Sequence, residues 1–149
     1  MLSLFNGLYI AYMAPRRPVS RSPHGIRGVG IDSVEVGRFR SVARRHGRPF
    51  LERLFTAGEL KYCMSHADPY PSLAARFAAK EAILKALDAR GLWRWHDMEV
   101  SRAESGRPGV TLKGGAAKYA RKRGAGAFHV SITHDSGRAT AMVVATGAS

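Results

Sequence analysis

The sequence is poor in cysteine and in acidic residues, and it has no long apolar run. Its one cysteine, Cys63, excludes an internal disulfide framework and a cysteine-based zinc site. Cys63 lies in a helix-like stretch without a neighbouring base, so it reads as a buried or idle thiol and not as a nucleophile. No apolar run reaches the roughly 18–20 residues that a membrane-spanning helix needs. The apolar start, residues 1–14, has no basic residues ahead of it; Arg16 and Arg17 follow it instead. That order is the reverse of a secretory signal, so a cytoplasmic protein is expected. The sequence also lacks a P-loop, an HExxH motif and a nucleophile elbow. Asp and Glu number 11 against 24 Lys and Arg, a net charge of +13. Such a balance calls for a polyanionic partner: nucleic acid, an anionic membrane, an acidic protein or a phosphate-rich ligand.

What is present fits one domain of 149 residues, with 45% hydrophobic residues to build a modest core. Residues 1–25 read as an N-terminal extension, extended or flexible, because three prolines and three arginines fall between Pro15 and Pro23. The domain proper is expected over 26–149, with order beginning near Arg27. A short strand is expected over Gly28–Asp32 and an amphipathic helix over Val34–Arg45, ended by Gly47. Thr56-Ala57-Gly58-Glu59 has capping-box spacing and opens a helix to about Ser65. The strongest helix runs from Pro71-Ser72 to Leu87 and is rich in Ala, Leu and Lys. After Gly91 the period changes to two. Strands are expected at Met98–Ser101 and Val110–Lys113, joined through Ser105–Pro108. A short basic helix should cover Gly115–Arg123. Strands at Phe128–Thr133 and Thr140–Ala145, with a turn at Asp135-Ser136-Gly137, complete an α+β pattern of mostly antiparallel strands.

Few residues are equipped for chemistry. Asp32 closes an apolar, glycine-flanked strand, as a helix N-cap, a metal ligand or a base. Glu81 and Lys85 share a face of the strongest helix, and Arg76 and Lys80 share an adjacent one. The plain reading is an exposed helix with a surface Glu–Lys pair worth about 0.3 kcal/mol. The alanines at 74, 75, 78, 79, 82 and 86 argue instead for close packing. His129 and His134, five residues apart on one strand, face opposite sides and make a poor metal pair. His134 falls where that strand gives way to its turn. Trp93 and Trp95 read as packing residues. Lys118–Arg123 is a basic cluster, which leaves a nucleic-acid-binding protein as the alternative reading, although no DNA- or RNA-reading motif accompanies it.

Taken together and in order, these segments are more specific. Gly30-Ile31-Asp32-Ser33-Val34-Glu35 resembles the N-terminal strand signature of holo-acyl-carrier-protein synthases. Arg76-Phe77-Ala78-Ala79-Lys80-Glu81-Ala82, followed by Lys85-Ala86-Leu87, resembles the family's central helix. His129–Asp135 is similar to its third signature, and Ser105-Gly106-Arg107-Pro108 to an intervening turn. The resemblance covers about residues 27–146. It implies a single 4'-phosphopantetheinyl-transferase-like domain, with mainly antiparallel strands packed on a long central helix, of the short trimeric type with sites between subunits. It implies transfer of the phosphopantetheine arm of coenzyme A to a serine of an apo-acyl carrier protein, with release of 3',5'-ADP. By the same resemblance Asp32 and Glu81 hold Mg2+, or Mn2+ in its place, against the diphosphate. Lys85 and His134 contact the phosphates, with Lys85 assisting the leaving group. Arg76, Lys80, Pro108, Ser131 and Thr133 are candidates for the coenzyme A pocket. Arg38 and Arg45, two turns apart on one helix face, would dock the acidic carrier. The base that deprotonates the serine is a carboxylate of the site or a metal-bound water. The chain departs from the family pattern after the central helix, where Leu87-Asp88-Ala89-Arg90 delays the usual glycine.

Overall fold

The structure, a computed structural model, describes residues 25–89, 93–135 and 137–148. The chain runs β1 (Ile26–Glu35), α1 (Val36–Leu54), α2 (Ala57–Met64), α3 (Tyr70–Ala86), a 3-10 turn (Trp95–Asp97), β2 (Met98–Arg102), β3 (Pro108–Leu112), α4 (Gly114–Lys122), β4 (Ala127–His134) and β5 (Arg138–Thr146). One sheet has the order β1-β5-β4 and the other pairs β2 with β3; every pairing is antiparallel. This is the expected α+β arrangement, with α3 as the central helix. Residues 1–24, Arg90, Gly91, Ser136 and Ser149, which enter the expectations above, lie outside the described residues.

The three-stranded sheet owes its orientation to side-chain alternation. In β5, Ala139, Ala141, Val143 and Ala145 are buried, while Arg138 and Met142 are exposed. The same parity in β1 turns Gly28, Gly30, Asp32 and Val34 toward α3. Gly28 and Gly30 carry no side chain because there is no room for one. A Cβ on Gly30 would lie 1.9 Å from the Ala82 carbonyl oxygen, and one on Gly28 would lie 1.8 Å from that of Ala86. Strand and helix backbones therefore touch, which is the use of the alanines in α3.

Helix α3 is buried along most of its length, and Arg76, Lys80 and Glu81 are buried with it. The reading of an exposed helix with a surface Glu–Lys pair is corrected: Glu81 is 6% exposed, because the sheet covers one side of α3 while α1 and α2 pack against it as well. Phe39 of α1 anchors that packing, with ring centroids 5.7 Å from Phe77, 6.2 Å from Phe50 and 6.2 Å from Phe55.

Three local expectations change. β1 continues to Glu35, so Asp32 lies within the strand and is not the N-cap of α1; Glu35 is. Gly47 does interrupt the helix, at φ 69° and ψ −161°, but the chain resumes helix directly and reaches Leu54. Such a backbone conformation suits glycine alone. After α3, Asp88 takes the left-handed position (φ 52°) that glycine usually fills. The Ala89 N–H donates to the Leu84 carbonyl and the Asp88 N–H to that of Lys85, so the helix is closed without the glycine.

The capping box forms as expected. The Thr56 hydroxyl accepts from the Glu59 N–H and the Glu59 carboxylate accepts from the Thr56 N–H. That carboxylate also accepts from the Val100 N–H at 2.8 Å and pairs with Lys80 Nζ at 2.8 Å. One cap thus ties α2 to β2 and α3. Cys63 is fully buried beside it, and burial pushes its thiol up to about 11, which removes it from nucleophilic chemistry at neutral pH.

Candidate active site

Where β1 passes into α1 and β5 begins, the sheet edge and α3 enclose a cleft of about 210 Å³. Phe39 and Phe77 form its apolar part, and Asp32, Glu35, Arg38, Glu81, Lys85 and Arg138 line it with charge. Three carboxylates and three cations from four elements meet there. Asp32 reaches the cleft because its parity points it at α3. It stands opposite Ala141 in β5, whose small side chain leaves it space. Glu81 and Lys85 arrive together because they are one helical turn apart.

Lys85 Nζ donates to Asp32 Oδ1 at 2.7 Å and to the Ile31 carbonyl at 2.9 Å. Burial pushes the Asp32 carboxyl above its usual range, and the Lys85 hydrogen bond and charge pull it partly back. The lysine therefore helps to keep Asp32 ionised and oriented while using only one of its oxygens.

The structure brings Asp32, Glu81, Lys85 and Arg38 of the expected residues into this cleft and leaves the others elsewhere on the chain. Lys80 is the clearest correction. Its side chain is 0% exposed, and its ammonium donates to the Leu54 carbonyl at 2.7 Å, the Trp95 carbonyl at 3.2 Å and Glu59. All three of its protons are engaged inside the protein, so it has none for a coenzyme A pocket. Arg76 is 7% exposed and stacks its guanidinium over Tyr62, 4.2 Å from the ring centroid. Ser131 and Thr133 lie on the sheet face away from α3, in register with Met142 and Thr140. His134 shares the opposite parity at the end of β4, Pro108 begins β3, and Arg45 lies exposed on α1.

Glu35, Ser33 and Arg138 were not singled out from the sequence. Glu35 and Ser33 stand inside the first signature, and their spacing from Asp32 was the available signal. Arg138 had none, since it follows a turn and pairs with β1 only in the folded sheet.

The cleft's donors suit one kind of ion. Asp32 and Glu81 offer hard carboxylate oxygens. Among the described residues no group of three or more His, Cys, Asp or Glu forms a protein-only cage. That set fits Mg2+ or Mn2+ completed by phosphate oxygens and water, and does not fit zinc.

The chain matches the family described as the 4'-phosphopantetheinyl transferase superfamily over residues 28–140. It is 50% identical over 123 residues to a holo-[acyl-carrier-protein] synthase of Salinispora arenicola, covering 80% of this chain and 98% of that protein. It is 44% identical over 121 residues to the synthase of Koribacter versatilis, covering 80% and 97%. In structure it is similar to the Helicobacter pylori holo-[acyl-carrier-protein] synthase solved in complex with coenzyme A. That match has a TM-score of 0.69 and 31% identity over 78% of this chain and 98% of that one. The chain belongs to the 4'-phosphopantetheinyl transferase superfamily. Within it the chain falls among the holo-acyl-carrier-protein synthases, which are transferases.

Proposed function

We propose that the cleft carries out transfer of the phosphopantetheine arm of coenzyme A to a serine of an apo-acyl carrier protein. The observation that carries this reading is the convergence of Asp32, Glu81 and Lys85, from strand and helix, on one cleft. Asp32 and Glu81 would hold Mg2+, or Mn2+ in its place, and the ion would neutralise charge on the coenzyme A diphosphate. The acceptor serine oxygen attacks the β-phosphorus as its proton passes to a carboxylate of the cleft. The bond from that phosphorus to the bridging oxygen breaks, and 3',5'-ADP leaves. Lys85 donates to the departing phosphate.

Arg38 at the cleft rim and Arg45 further along α1 form the docking face for an acidic carrier of fatty-acid or polyketide synthesis. Opposite charge speeds such encounters.

The remaining candidates Arg76, Pro108, Ser131, Thr133 and His134 lie outside the cleft of one chain. A homotrimer with sites between subunits would reunite them with it. The exposed sheet face supports such an assembly, since Val29, Ile31 and Met142 stand 49%, 59% and 44% exposed there. Residues 26–149 form the transferase domain and 1–25 an extension to it. A cytoplasmic enzyme is proposed, where carrier and coenzyme A meet.

The test is mass spectrometry of an apo-acyl carrier protein incubated with the chain, coenzyme A and Mg2+. Gain of one phosphopantetheine arm, lost with Glu81→Ala and without metal, supports the reading. A folded chain that binds coenzyme A but modifies no apo-carrier protein overturns it.

A further inference from the structure

We propose that Arg138 is a substrate-binding residue of the cleft, whose guanidinium grips the diphosphate of coenzyme A. The inference rests on the transferase reading and adds a contact to it.

Arg138 is the first residue of β5 and lines the cleft with Asp32, Glu81 and Lys85. Its backbone is held on both sides: its N–H donates to Asp135 Oδ1 at 3.1 Å, and its carbonyl accepts from the Asp135 N–H at 3.0 Å. It pairs with Glu35 in the β1–β5 register. The Cα is therefore fixed, while the guanidinium forms no ion pair or side-chain hydrogen bond among the described residues. Lys85, by contrast, is already engaged with Asp32 and the Ile31 carbonyl. Among the described residues Arg138 thus brings to the cleft a permanent charge, felt by Asp135, whose five donors are unengaged.

Three features choose a diphosphate over an acidic side chain of the carrier. The cleft, at about 210 Å³, is smaller than the roughly 300–1,000 Å³ of a drug-sized pocket, and suits a phosphate group rather than a helix. Apart from the Glu35 carboxylate opposite Arg138, the neighbouring polar groups on the same sheet face are hydroxyls: Ser33, which also lines the cleft, lies 2.9 Å from the Thr140 hydroxyl. Hydroxyls and a guanidinium fork are a phosphate-binding set. Finally, Asp32 and Glu81 share the cleft, so a phosphate held by a metal there also lies within the cleft Arg138 lines.

The test is equilibrium binding of coenzyme A to the full chain in Mg2+, with steady-state kinetics for the apo-carrier. Arg138→Ala should weaken coenzyme A binding by about 10- to 100-fold, the usual range for a lost charged hydrogen bond. Arg138→Lys, which keeps the charge without the fork, should fall between. The KM for carrier protein should not change. Unchanged coenzyme A affinity in both variants, at unchanged melting temperature, overturns the assignment; a raised carrier KM in that case makes Arg138 a docking residue. If Arg138→Ala melts early, Arg138→Gln takes its place. Wild-type chain that transfers no arm would sink the transferase reading itself, whereas wild-type transfer with normal coenzyme A binding by the variants sinks only the role of Arg138.

Discussion

Helix α3 carries two lysines, five residues apart, each paired with a carboxylate at 2.7–2.8 Å, and they do different work. Lys80 and Glu59 are 0% and 1% exposed, while Lys85 and Asp32 are 34% and 11% exposed. The first pair is closed. Lys80 has two carbonyl partners besides Glu59, and Glu59 has two backbone N–H partners besides Lys80. The second pair is open, since Lys85 engages only one oxygen of Asp32 and the cleft meets both residues. A buried pair whose valences are all met inside the chain holds elements together. A half-exposed pair with valences to spare is available to a ligand.

The largest effect should come from opening the closed pair. Lys80→Met leaves the Glu59 carboxylate buried without its counter-charge, at a cost of about 3–5 kcal/mol. Chemical denaturation measures it, and a loss below about 1 kcal/mol would place Lys80 with the surface pairs. Lys85→Met is the mirror test. Stability should change by less than about 1 kcal/mol, because the pair is partly solvated. The turnover number, however, should drop about 100-fold, equivalent to about 2.7 kcal/mol. If both lysine variants only destabilise, the contrast fails.

Gly30→Ala strikes at the spacing between the two halves of the site. Its Cβ cannot coexist with the Ala82 carbonyl at 1.9 Å, so β1 must move off α3 and carry Asp32 away from Glu81. A loss of about 2 kcal/mol is expected, together with a raised Mg2+ requirement in the transfer assay. Asp88→Gly touches neither pair but relieves the left-handed backbone at the end of the helix that bears both. A gain of up to about 1 kcal/mol in stability at unchanged turnover is expected from thermal melts.

The smallest effect concerns pH. The folded Asp32 carboxyl titrates above its usual 3.8 because burial outweighs the Lys85 bond. Between those two values the metal-free folded chain keeps a proton that the unfolded chain has released. Asp32 therefore favours folding below that window, and this contribution is lost as pH rises through it. Asp32→Asn should melt no lower than wild type at neutral pH, yet transfer nothing. A clear drop in its melting temperature would show that the Lys85 bond outweighs burial.

Much of this was legible beforehand, for local reasons. The capping box at Thr56 and Glu59, the period-two strands after Met98 and the order of three signatures depend on neighbours within a few residues. Asp32, Glu81 and Lys85 stand inside those signatures. The misreadings concern long-range contacts. Nothing near Lys80 announces that Glu59 will meet it from another helix, and the one-turn spacing of Glu81 and Lys85 is the same in an exposed helix as in a buried one.

The sequence by itself determined the elements, because capping, propensity and side-chain alternation act over a few residues. The kind of chemistry came from the resemblance of its signatures, taken together and in order, to those of holo-acyl-carrier-protein synthases. Only the tertiary structure decided which charges are available. Burial against the sheet closed Lys80 into a saturated pair and left Lys85 half open. The register of β5 on β1 brought Arg138 to the cleft. Both outcomes depend on residues distant in sequence becoming neighbours.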